Sequence, residues 1–306
     1  MQSILIYTEG GSVGLGHIIR CIHLARALSE HAQVTFATSA NEPIGAERLR
    51  QAGHFVGYDF TPADAIIVDV EQYPGLDFMR MMRDRYKRVI LIGGVSYPSA
   101  DELAPYVDLT IYQGELFDHP TTEIALNGPD YLIIDPSFTN CYPNRYGHIL
   151  ISMGGRDPNN FTGRVLDAIP QGTAVKIIVG PSFRQAQGDT SDYNGSGIIK
   201  APLTLRPYVN GARLAIVTTG MTAYECLAAG VPCILFNISP DHDRTAAGLQ
   251  DRGCAYNMGM GFDPVRLRMA MHAAGALWEP MSAAGRALVD GKGAERVAEA
   301  IWRMMK

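Results

Sequence analysis

The sequence lacks an excess of positive charge, long apolar runs and low-complexity tracts. Its 26 Lys and Arg residues stand against 31 Asp and Glu, which gives a formal net charge of −5. Proteins that attract nucleic acid through bulk charge usually carry a basic face, so the composition argues against nucleic acid as a general partner. No apolar run approaches the ~20 residues that cross a bilayer, so we expect no membrane span.

Closely paired cysteines are also missing. The chain has five scattered cysteines and no CxxC spacing, which argues for a reducing compartment and against structural zinc. The first residues have no basic stretch and are typical of a first strand rather than of a signal peptide. We therefore expect a cytoplasmic protein with no metal and no resident cofactor.

What the chain does contain is enough apolar material for two cores. It has 306 residues, of which 47% are hydrophobic and 19% charged, with 32 glycines and 18 prolines. A prior of roughly 150 residues per domain predicts two domains. A chain of this length and hydrophobicity can fold without disulfides, and its composition excludes a disordered protein.

Strands and helices alternate along both halves of the chain. Short apolar runs between turn residues are typical of buried parallel strands. They lie at Ser3–Thr8, Gln33–Ala37, Ala65–Val70, Arg88–Ile92, Asp108–Tyr112, His148–Met153, Ala174–Val179, Leu214–Thr218 and Pro232–Asn237. Helices are predicted at His17–Glu30, Glu47–Ala52, Phe78–Tyr86, Asn160–Ala168, Ala223–Ala229, Thr245–Arg252 and Ala294–Met305. This alternation of strands and helices predicts an α/β protein with parallel sheets covered by helices on both faces.

The irregular stretch Pro136–Tyr146 divides the chain into domains 1–143 and 144–287, followed by a closing helical segment 288–306.

A first glycine loop, Gly10–His17, follows the opening strand. Ligands of parallel sheets bind beyond the carboxyl ends of strands, and a helix start attracts anions. Gly14 and Gly16 match part of a dinucleotide fingerprint, but Ile19 breaks the GxGxxG pattern. His17 lies where loop becomes helix, and the helix dipole there disfavours a charged imidazole, as a general base requires. A histidine that merely caps a turn is the alternative.

A second glycine loop contains Gly154, Gly155 and Arg156. Asp157 and Pro158 after it fit a helix N-cap with proline in the first helical position, which would explain both residues structurally. Alternatively, the two glycines let the backbone approach a diphosphate while Arg156 supplies positive charge.

A third loop, with Gly220, Met221 and Thr222, precedes a predicted helix. Thr222 and Glu225 fit the capping box S/T-x-x-E. A carboxylate one turn into a helix that faces a phosphate loop could equally accept both hydroxyls of a ribose, and the spacing is the same for either role.

A polar segment, Pro240–Arg244, follows the Pro232–Asn237 strand. Its Asp-His-Asp sequence suggests a metal, but adjacent side chains on a loop seldom converge on one ion. Recognition of a substrate, or helix capping by Asp243, fits better.

Taken together, these segments resemble a family of nucleotide-sugar proteins. GLGHIIRCIHLARAL (Gly14–Leu28) resembles the GxGHxxRCxxLAxAL segment of the hydrolases that remove UDP from a 2,4-diacetamido sugar in pseudaminic acid synthesis, and equally that of spore-coat polysaccharide proteins. ISMGGRDPNN (Ile151–Asn160) and DGKGAERVAEAI (Asp290–Ile301) are similar to later segments of that family. TTGMTAYECLAAGVPCILF, with DHDRTA, resembles the peptidoglycan N-acetylglucosaminyltransferases.

The resemblance implies the GT-B fold, in which two doubly wound domains face each other across a cleft. It implies that 1–143 carries the acceptor and the base His17, and that 144–287 binds the nucleotide sugar without a metal. The remaining residues implied to bind the donor are Gly16, Gly154, Gly155, Arg156, Gly220, Met221, Thr222, Glu225 on the ribose, and Asp241, His242 and Thr245 beside the sugar.

Two positions depart from the hydrolase pattern. Glu71 stands two residues after Asp69, where those hydrolases carry tyrosine, and Gly93-Gly94 stands where they often carry an acidic pair. Both departures fall on the sugar and acceptor side. The nucleotide-sugar class is therefore expected to hold, whereas the substrate and the acceptor stay open.

The leading expectation is an inverting glycosyltransferase that uses a UDP-type sugar. A nucleotide-sugar hydrolase, in which His17 activates water, is the second, and a non-catalytic nucleotide-sugar-binding subunit is the third. A modified nucleobase on DNA stays open as an acceptor. The basic residues that could contact it, or could form an ordinary solvated face, are Arg80, Arg83, Arg85, Lys87 and Arg88.

Overall fold

The computed structural model describes residues 2–10, 14–93, 97–114, 121–155, 157–180 and 197–306. The chain divides into a first unit, 1–134 with 292–306, and a second unit, 135–291. The chain passes from the first unit to the second between residues 134 and 135, just before the predicted linker Pro136–Tyr146. It returns to the first unit between residues 291 and 292, inside the predicted closing segment 288–306. The roles assigned to the two domains stay predictions.

The described part of the first unit has one parallel sheet of seven strands. They are β1 (Ser3–Thr8), β2 (Gln33–Ala37), β3 (Val56–Gly57), β4 (Ala65–Asp69), β5 (Arg88–Gly93), β6 (Leu109–Tyr112) and β7 (Ala125–Leu126). Their spatial order is β3-β2-β1-β4-β5-β6-β7. The helices between them are α1 (Gly16–Leu28), α2 (Pro43–Gln51), α3 (Leu76–Arg85) and α4 (Ala100–Leu103). The strand order reverses between β1 and β4, which is where doubly wound sheets bind ligands.

The second unit repeats the same architecture with six described strands. They are β8 (His148–Ser152), β9 (Val175–Val179), β10 (Gly197–Lys200), β11 (Ala212–Thr218), β12 (Cys233–Phe236) and β13 (Ala255–Gly259), in the parallel order β10-β9-β8-β11-β12-β13. The helices are α5 (Phe161–Ala168), α6 (Arg206–Val209), α7 (Met221–Ala228), α8 (Pro240–Asp251), α9 (Pro264–Ala276) and α10 (Trp278–Leu288). The order reverses between β8 and β11, so the predicted α/β class with doubly wound parallel sheets is confirmed.

The last helix, α11 (Gly293–Met305), belongs to the first unit. Its buried face includes Val297, Ile301 and Met305, which join the core that α1 also enters. Gly293 allows the close approach, because a Cβ there would lie 2.0 Å from the carbonyl oxygen of Leu132. The helix predicted at Ala294–Met305 is therefore present, and its apolar face points into the core of the first unit.

Apolar side chains fill both faces of each sheet. Ile4 and Ile6 of β1 pack on the α1 side, whereas Leu5 between them packs with Met79 and Met82 of α3 on the other side. This is the alternation that a strand covered on both faces requires. In the part of the chain that the structure describes, no helix is both long and apolar enough to cross a membrane.

Candidate functional site

A buried carboxylate at the end of β4 organises the first part of the site. Asp69 pairs in register with Thr8 of β1, at the switch point of the sheet. It is fully buried and accepts hydrogen bonds from three side chains of α1. The Nδ1 of His17 lies 2.7 Å from its Oδ1, and the Nε of Arg20 and the Sγ of Cys21 lie 2.6 and 3.2 Å from its Oδ2. The Nη2 of Arg20 also donates to Oδ1.

The spacing of these three donors explains why they meet. Positions 17, 20 and 21 are separated by three and four residues, so they share one face of a helix. The sequence predicts His17 as a member of the site, but not Arg20, Cys21 or Asp69. The pattern H-x-x-R-C opening a helix, together with a lone aspartate that ends a neighbouring buried strand, was the signal available.

The electrostatics keep Asp69 ionised. Burial by itself would raise the pKa of this carboxyl, but the charges and hydrogen bonds of Arg20 and His17 outweigh burial and hold its pKa well below the usual range. A carboxylate can only accept, so a proton on Nδ1 of His17 is held by Asp69 and Nε2 becomes the nitrogen that can take another proton. The His17 side chain is 22% exposed. The pair can therefore act as a general base.

A tyrosine explains one of the departures from the hydrolase pattern. Tyr97 donates a 2.5 Å hydrogen bond to the Val70 carbonyl, and its ring packs over Gly93, where a Cβ would lie 2.7 Å from Tyr97 Cδ2. Position 93 is therefore closed to a carboxylate while Tyr97 keeps this position. Gly94 lies outside the described residues. Glu71 is exposed, so its carboxylate is free to face solvent or a substrate.

In the second unit, the loop after β8 has a structural reason for its glycines. Gly154 has a φ of +76°, which favours glycine. A Cβ on Gly180 would lie 2.5 Å from the Cα of Gly155, so the backbones of two loops meet there. That a diphosphate also binds at this loop stays a prediction. Arg156 lies outside the described residues.

The proposed N-cap at Asp157 and Pro158 is wrong in position. The helix α5 begins three residues later, at Phe161, and Asp157 reaches forward to cap it. Its buried carboxylate accepts from the backbone amides of Phe161 and Thr162 at 2.8 and 2.7 Å. Two of the amides that begin α5 are therefore already bound to an anionic group of the protein itself.

The loop after β11 differs from the loop after β8, because no side chain of the described residues caps the helix that follows it. Gly220 is the N-cap of α7 and contributes no side chain, and no other side chain caps this helix in the described structure. The capping box predicted for Thr222 and Glu225 is wrong, because Met221 and Thr222 are the first two helical residues and Glu225 lies one turn further in. The backbone amides of Met221 and Thr222 thus begin a helix without a carboxylate cap.

Glu225 has an unusual environment for a carboxyl group. It is 7% exposed and has no hydrogen-bond partner for its side chain among the residues that the structure describes. Burial, and secondarily the nearby Asp135, raises its pKa to about 8. A buried carboxyl without a partner is costly. Such a group is available to bind hydroxyl donors.

A polar network joins the loop after β11 to the end of β12, to α8 and to β13. The hydroxyl of Thr219 donates to Oδ1 of Asn237 at 2.6 Å. The Nδ2 of Asn237 donates to Asp243 and Asn257 at 2.8 and 2.9 Å, and Asn257 also donates to Asp243 at 2.9 Å. Capping by Asp243 is therefore wrong, since it lies within α8 and accepts from two amide side chains. The network fixes the loop after β11.

The predicted polar loop at Pro240–Arg244 is the first turn of α8 rather than a loop. His242 is partly buried and Thr245 is buried, whereas the side chain of Asp241 lies outside what the structure describes. β8, β11 and β12 are neighbours in the sheet, so the loops after them lie at the same edge. The structure thus brings Gly154, Gly220 and the start of α8 to one edge.

No metal-binding arrangement is visible within the described ranges. They contain no group of three or more His, Cys, Asp and Glu side chains placed to hold an ion. That the chemistry needs no metal stays a prediction.

Four of the five basic residues around α3 have carboxylate partners, whereas Arg85 donates to the backbone carbonyl of Phe60. Arg83 and Arg88 bind Asp108 at 2.5 and 3.1 Å, Arg80 binds Asp77 at 3.1 Å and Lys87 binds Asp64 at 3.3 Å. This arrangement favours a solvated, ion-paired face over a nucleic-acid surface.

Comparisons with known proteins agree with the geometry. No model of a known protein family matches the chain. The chain is 24% identical over 341 aligned positions to the spore coat polysaccharide biosynthesis protein SpsG of Bacillus subtilis, which covers 95% of each chain. Among solved structures, Acinetobacter baumannii MurG matches with a TM-score of 0.72 at 15% identity, over 99% of this chain and 100% of MurG.

Two nucleotide complexes also have this fold. Spinosyn rhamnosyltransferase SpnG with thymidine diphosphate matches with a TM-score of 0.65 at 15% identity, over 100% of both chains. Staphylococcus aureus MnaA with UDP matches with a TM-score of 0.67 at 11% identity, over 100% of this chain and 97% of MnaA. The chain therefore has the GT-B fold, with two Rossmann-like units.

Proposed function

We propose that this protein is an inverting glycosyltransferase that uses a nucleotide sugar, with UDP as the nucleotide. The observation that carries the proposal is the pair formed by His17 and the buried, ionised Asp69 at the switch point of the first sheet. A histidine held at Nδ1 by a carboxylate is an efficient general base at Nε2. The first unit would accordingly contribute the base.

In the proposed reaction, Nε2 of His17 takes the proton of an acceptor hydroxyl. The acceptor oxygen then forms a bond to the anomeric carbon as the bond to the diphosphate breaks, and attack from the opposite face inverts the configuration. Asp69 stabilises the imidazolium that results. The nucleoside diphosphate leaves with the electron pair of the broken bond.

The second unit supports the donor side of the proposal. The amides that begin α7, at Met221 and Thr222, have no side-chain cap and are suited to the developing charge on the diphosphate. Glu225 lies one turn deeper and would accept the ribose hydroxyls. The neighbouring SpnG and MnaA structures contain thymidine diphosphate and UDP, which supports a pyrimidine nucleotide. The Asp241, His242 and Thr245 turn would contact the sugar, with Gly16, Gly154, Gly155 and Arg156 as further donor-side residues.

The acceptor is proposed to be a growing saccharide. The relative SpsG is described as a polysaccharide biosynthesis protein, and it aligns over nearly the whole chain. Hydrolysis is the second candidate, because Nε2 of His17 could equally activate water. The motif Gly14–Leu28, which resembles nucleotide-sugar hydrolases, contains all three side chains that bind Asp69.

The test is release of nucleotide from a panel of UDP- and dTDP-sugars, with and without saccharide acceptors. Release that depends on acceptor supports transfer, whereas equally fast release in water supports hydrolysis. Binding without release would indicate a binding subunit. His17→Gln should lower turnover by about 100- to 10,000-fold while nucleotide binding persists.

His272→Gln is the matched control, because His272 is an exposed histidine on α9. It should leave both turnover and binding unchanged. Full turnover by the His17→Gln variant would contradict the assignment of the base, and no thermal stabilisation by any nucleoside diphosphate would contradict the nucleotide-sugar class.

A further inference from the structure

The guanidinium of Arg20 contacts both members of the His17–Asp69 pair. It donates to both carboxylate oxygens of Asp69, and its Nη2 lies 2.8 Å from the Nδ1 of His17. Only 10% of the Arg20 side chain is exposed, so water screens its charge poorly. Because a guanidinium stays protonated in proteins, His17 faces a fixed positive charge as well as a negative one.

We propose that Arg20 is a positioning residue that keeps the His17 imidazole neutral, and so able to take a proton, by cancelling the field of Asp69. The proposal rests on the base role of His17 given above. In an isolated pair of histidine and carboxylate, the negative charge favours the imidazolium. Here protonation of His17 would place two cations in contact across one buried carboxylate.

The other titratable groups around Asp69 do not replace Arg20. Cys21 on α1 stays a thiol, because burial raises its pKa well above the usual value. Tyr97, after β5, stays a phenol, because burial and nearby carboxylates raise its pKa. Glu9 after β1 and Glu71 after β4 are acidic side chains that act on Tyr97 in the same direction as Asp69, so neither supplies a positive charge. Within the described structure, Arg20 is the only arginine or lysine bonded to Asp69.

A purely structural role makes a different prediction. If Arg20 only held Asp69 in place, any substitution would loosen His17 without a consistent direction in its titration. A charge effect predicts opposite directions for the removal of Arg20 and of Asp69. It also predicts that removal of both nearly cancels, because each charge acts on the same imidazole.

The experiment is NMR titration of isotope-labelled histidine side chains in the full chain without ligand. The His17 signal is assigned by its loss in His17→Gln. Arg20→Gln should move the midpoint of the His17 titration to higher pH by about 1 to 3 pH units, and Asp69→Asn should move it to lower pH by a similar amount. Arg20→Lys keeps the charge and should titrate nearer the wild type than Arg20→Gln.

The double variant Arg20→Gln, Asp69→Asn keeps the shape of the pair without either charge. It should titrate within about half a pH unit of the wild type, which supports the proposal even if Arg20→Gln alone does not fold. An unchanged midpoint in Arg20→Gln, or a double variant that titrates like Asp69→Asn, would overturn it.

The titration needs no nucleotide sugar, so its outcome separates this proposal from the proposed function. If no sugar donor is turned over but the midpoints move as expected, the glycosyltransferase proposal fails and the charge role of Arg20 stands. If turnover is found and the midpoints do not move, the charge role of Arg20 fails and the glycosyltransferase proposal stands. Where turnover is found, the acid limb of its pH profile should shift in the same directions.

Discussion

Replacing Glu225 by glutamine should stabilise the second unit most at high pH. The pKa of Glu225 rises from 4.5 in the unfolded chain to about 8 in the folded unit, because burial disfavours the charged form. A raised carboxyl pKa gives stability that is complete below about pH 4.5 and is lost as pH rises to about 8. At about 1.4 kcal/mol for each pKa unit, the loss amounts to about 5 kcal/mol.

Glutamine is uncharged and has nearly the same shape, so it removes this loss. Glu225→Gln should therefore gain about 3.5 kcal/mol more over the wild type at about pH 8 than at about pH 5. The assay is urea unfolding at several pH values. The chain has two tryptophans, so in a Trp302→Phe background the fluorescence of Trp278 reports on the second unit alone.

The matched control is Glu279→Gln. Glu279 lies in the same unit but is exposed and paired with Arg145 at 2.6 Å, so its loss should cost at most about 1 kcal/mol. If Glu225→Gln and the wild type lose stability in parallel as pH rises, Glu225 is not a neutral buried carboxyl and the reasoning is refuted.

The carboxyl group of Glu225 should also couple nucleotide binding to the release of a proton. If ribose hydroxyls donate to Glu225, binding favours the carboxylate and should release up to about one proton near pH 7. Calorimetry of UDP binding in buffers of different ionisation enthalpy measures this release. Glu225→Gln should release none and bind UDP more weakly, whereas Glu279→Gln should behave as the wild type. Proton release that persists in Glu225→Gln would assign it to another group.

Three further substitutions test the second unit. Gly220→Ala should leave stability unchanged, because no atom lies within 4 Å of the added Cβ. It should weaken UDP binding at least about tenfold, because the added methyl group crowds the start of α7. Gly261→Ala, where the added Cβ also meets no atom within 4 Å, is the control. Asp157→Ala should cost about 1 to 2 kcal/mol in urea unfolding without weakening UDP binding, since it removes a cap of α5. Asn237→Ala should cost more than about 2 kcal/mol and also weaken UDP binding, because it leaves the hydroxyl of Thr219 without its partner and removes one of the two amide donors to Asp243. Equal affinity would show that the network does not support the loop.

Elements with strong periodicity are predictable from the sequence. β1, β2 and the end of α5 match their predicted bounds, and the other predicted strands differ by one or two residues. The edge strands β3, β7, β10 and β13 and the helices α4, α6, α9 and α10 are not predicted from the sequence. The strands β3 and β7 have only two residues each, which are too few to carry a period. The sequence predicts a loop at the first turn of α8, because the polar residues there hide the helical pattern.

The site was predictable only as far as single positions. His17 stands out because of where the first strand ends, but its partners depend on the register that brings Thr8 beside Asp69. That pairing joins positions about sixty residues apart and leaves no local pattern in the chain. The position of Arg20 relative to His17 likewise became meaningful only once both were seen to share one carboxylate.

Capping distinguishes two helix starts that look alike in sequence. Both α5 and α7 follow a glycine loop at the end of a central strand, and glycine content alone would assign a diphosphate to either. Asp157 already neutralises two amides at the start of α5, and an anion there would also meet its negative charge. The start of α7 has only Gly220 before it and a neutral Glu225 behind it. We therefore expect the diphosphate at α7, and Gly154 and Gly155 chiefly to serve the packing of their own loop.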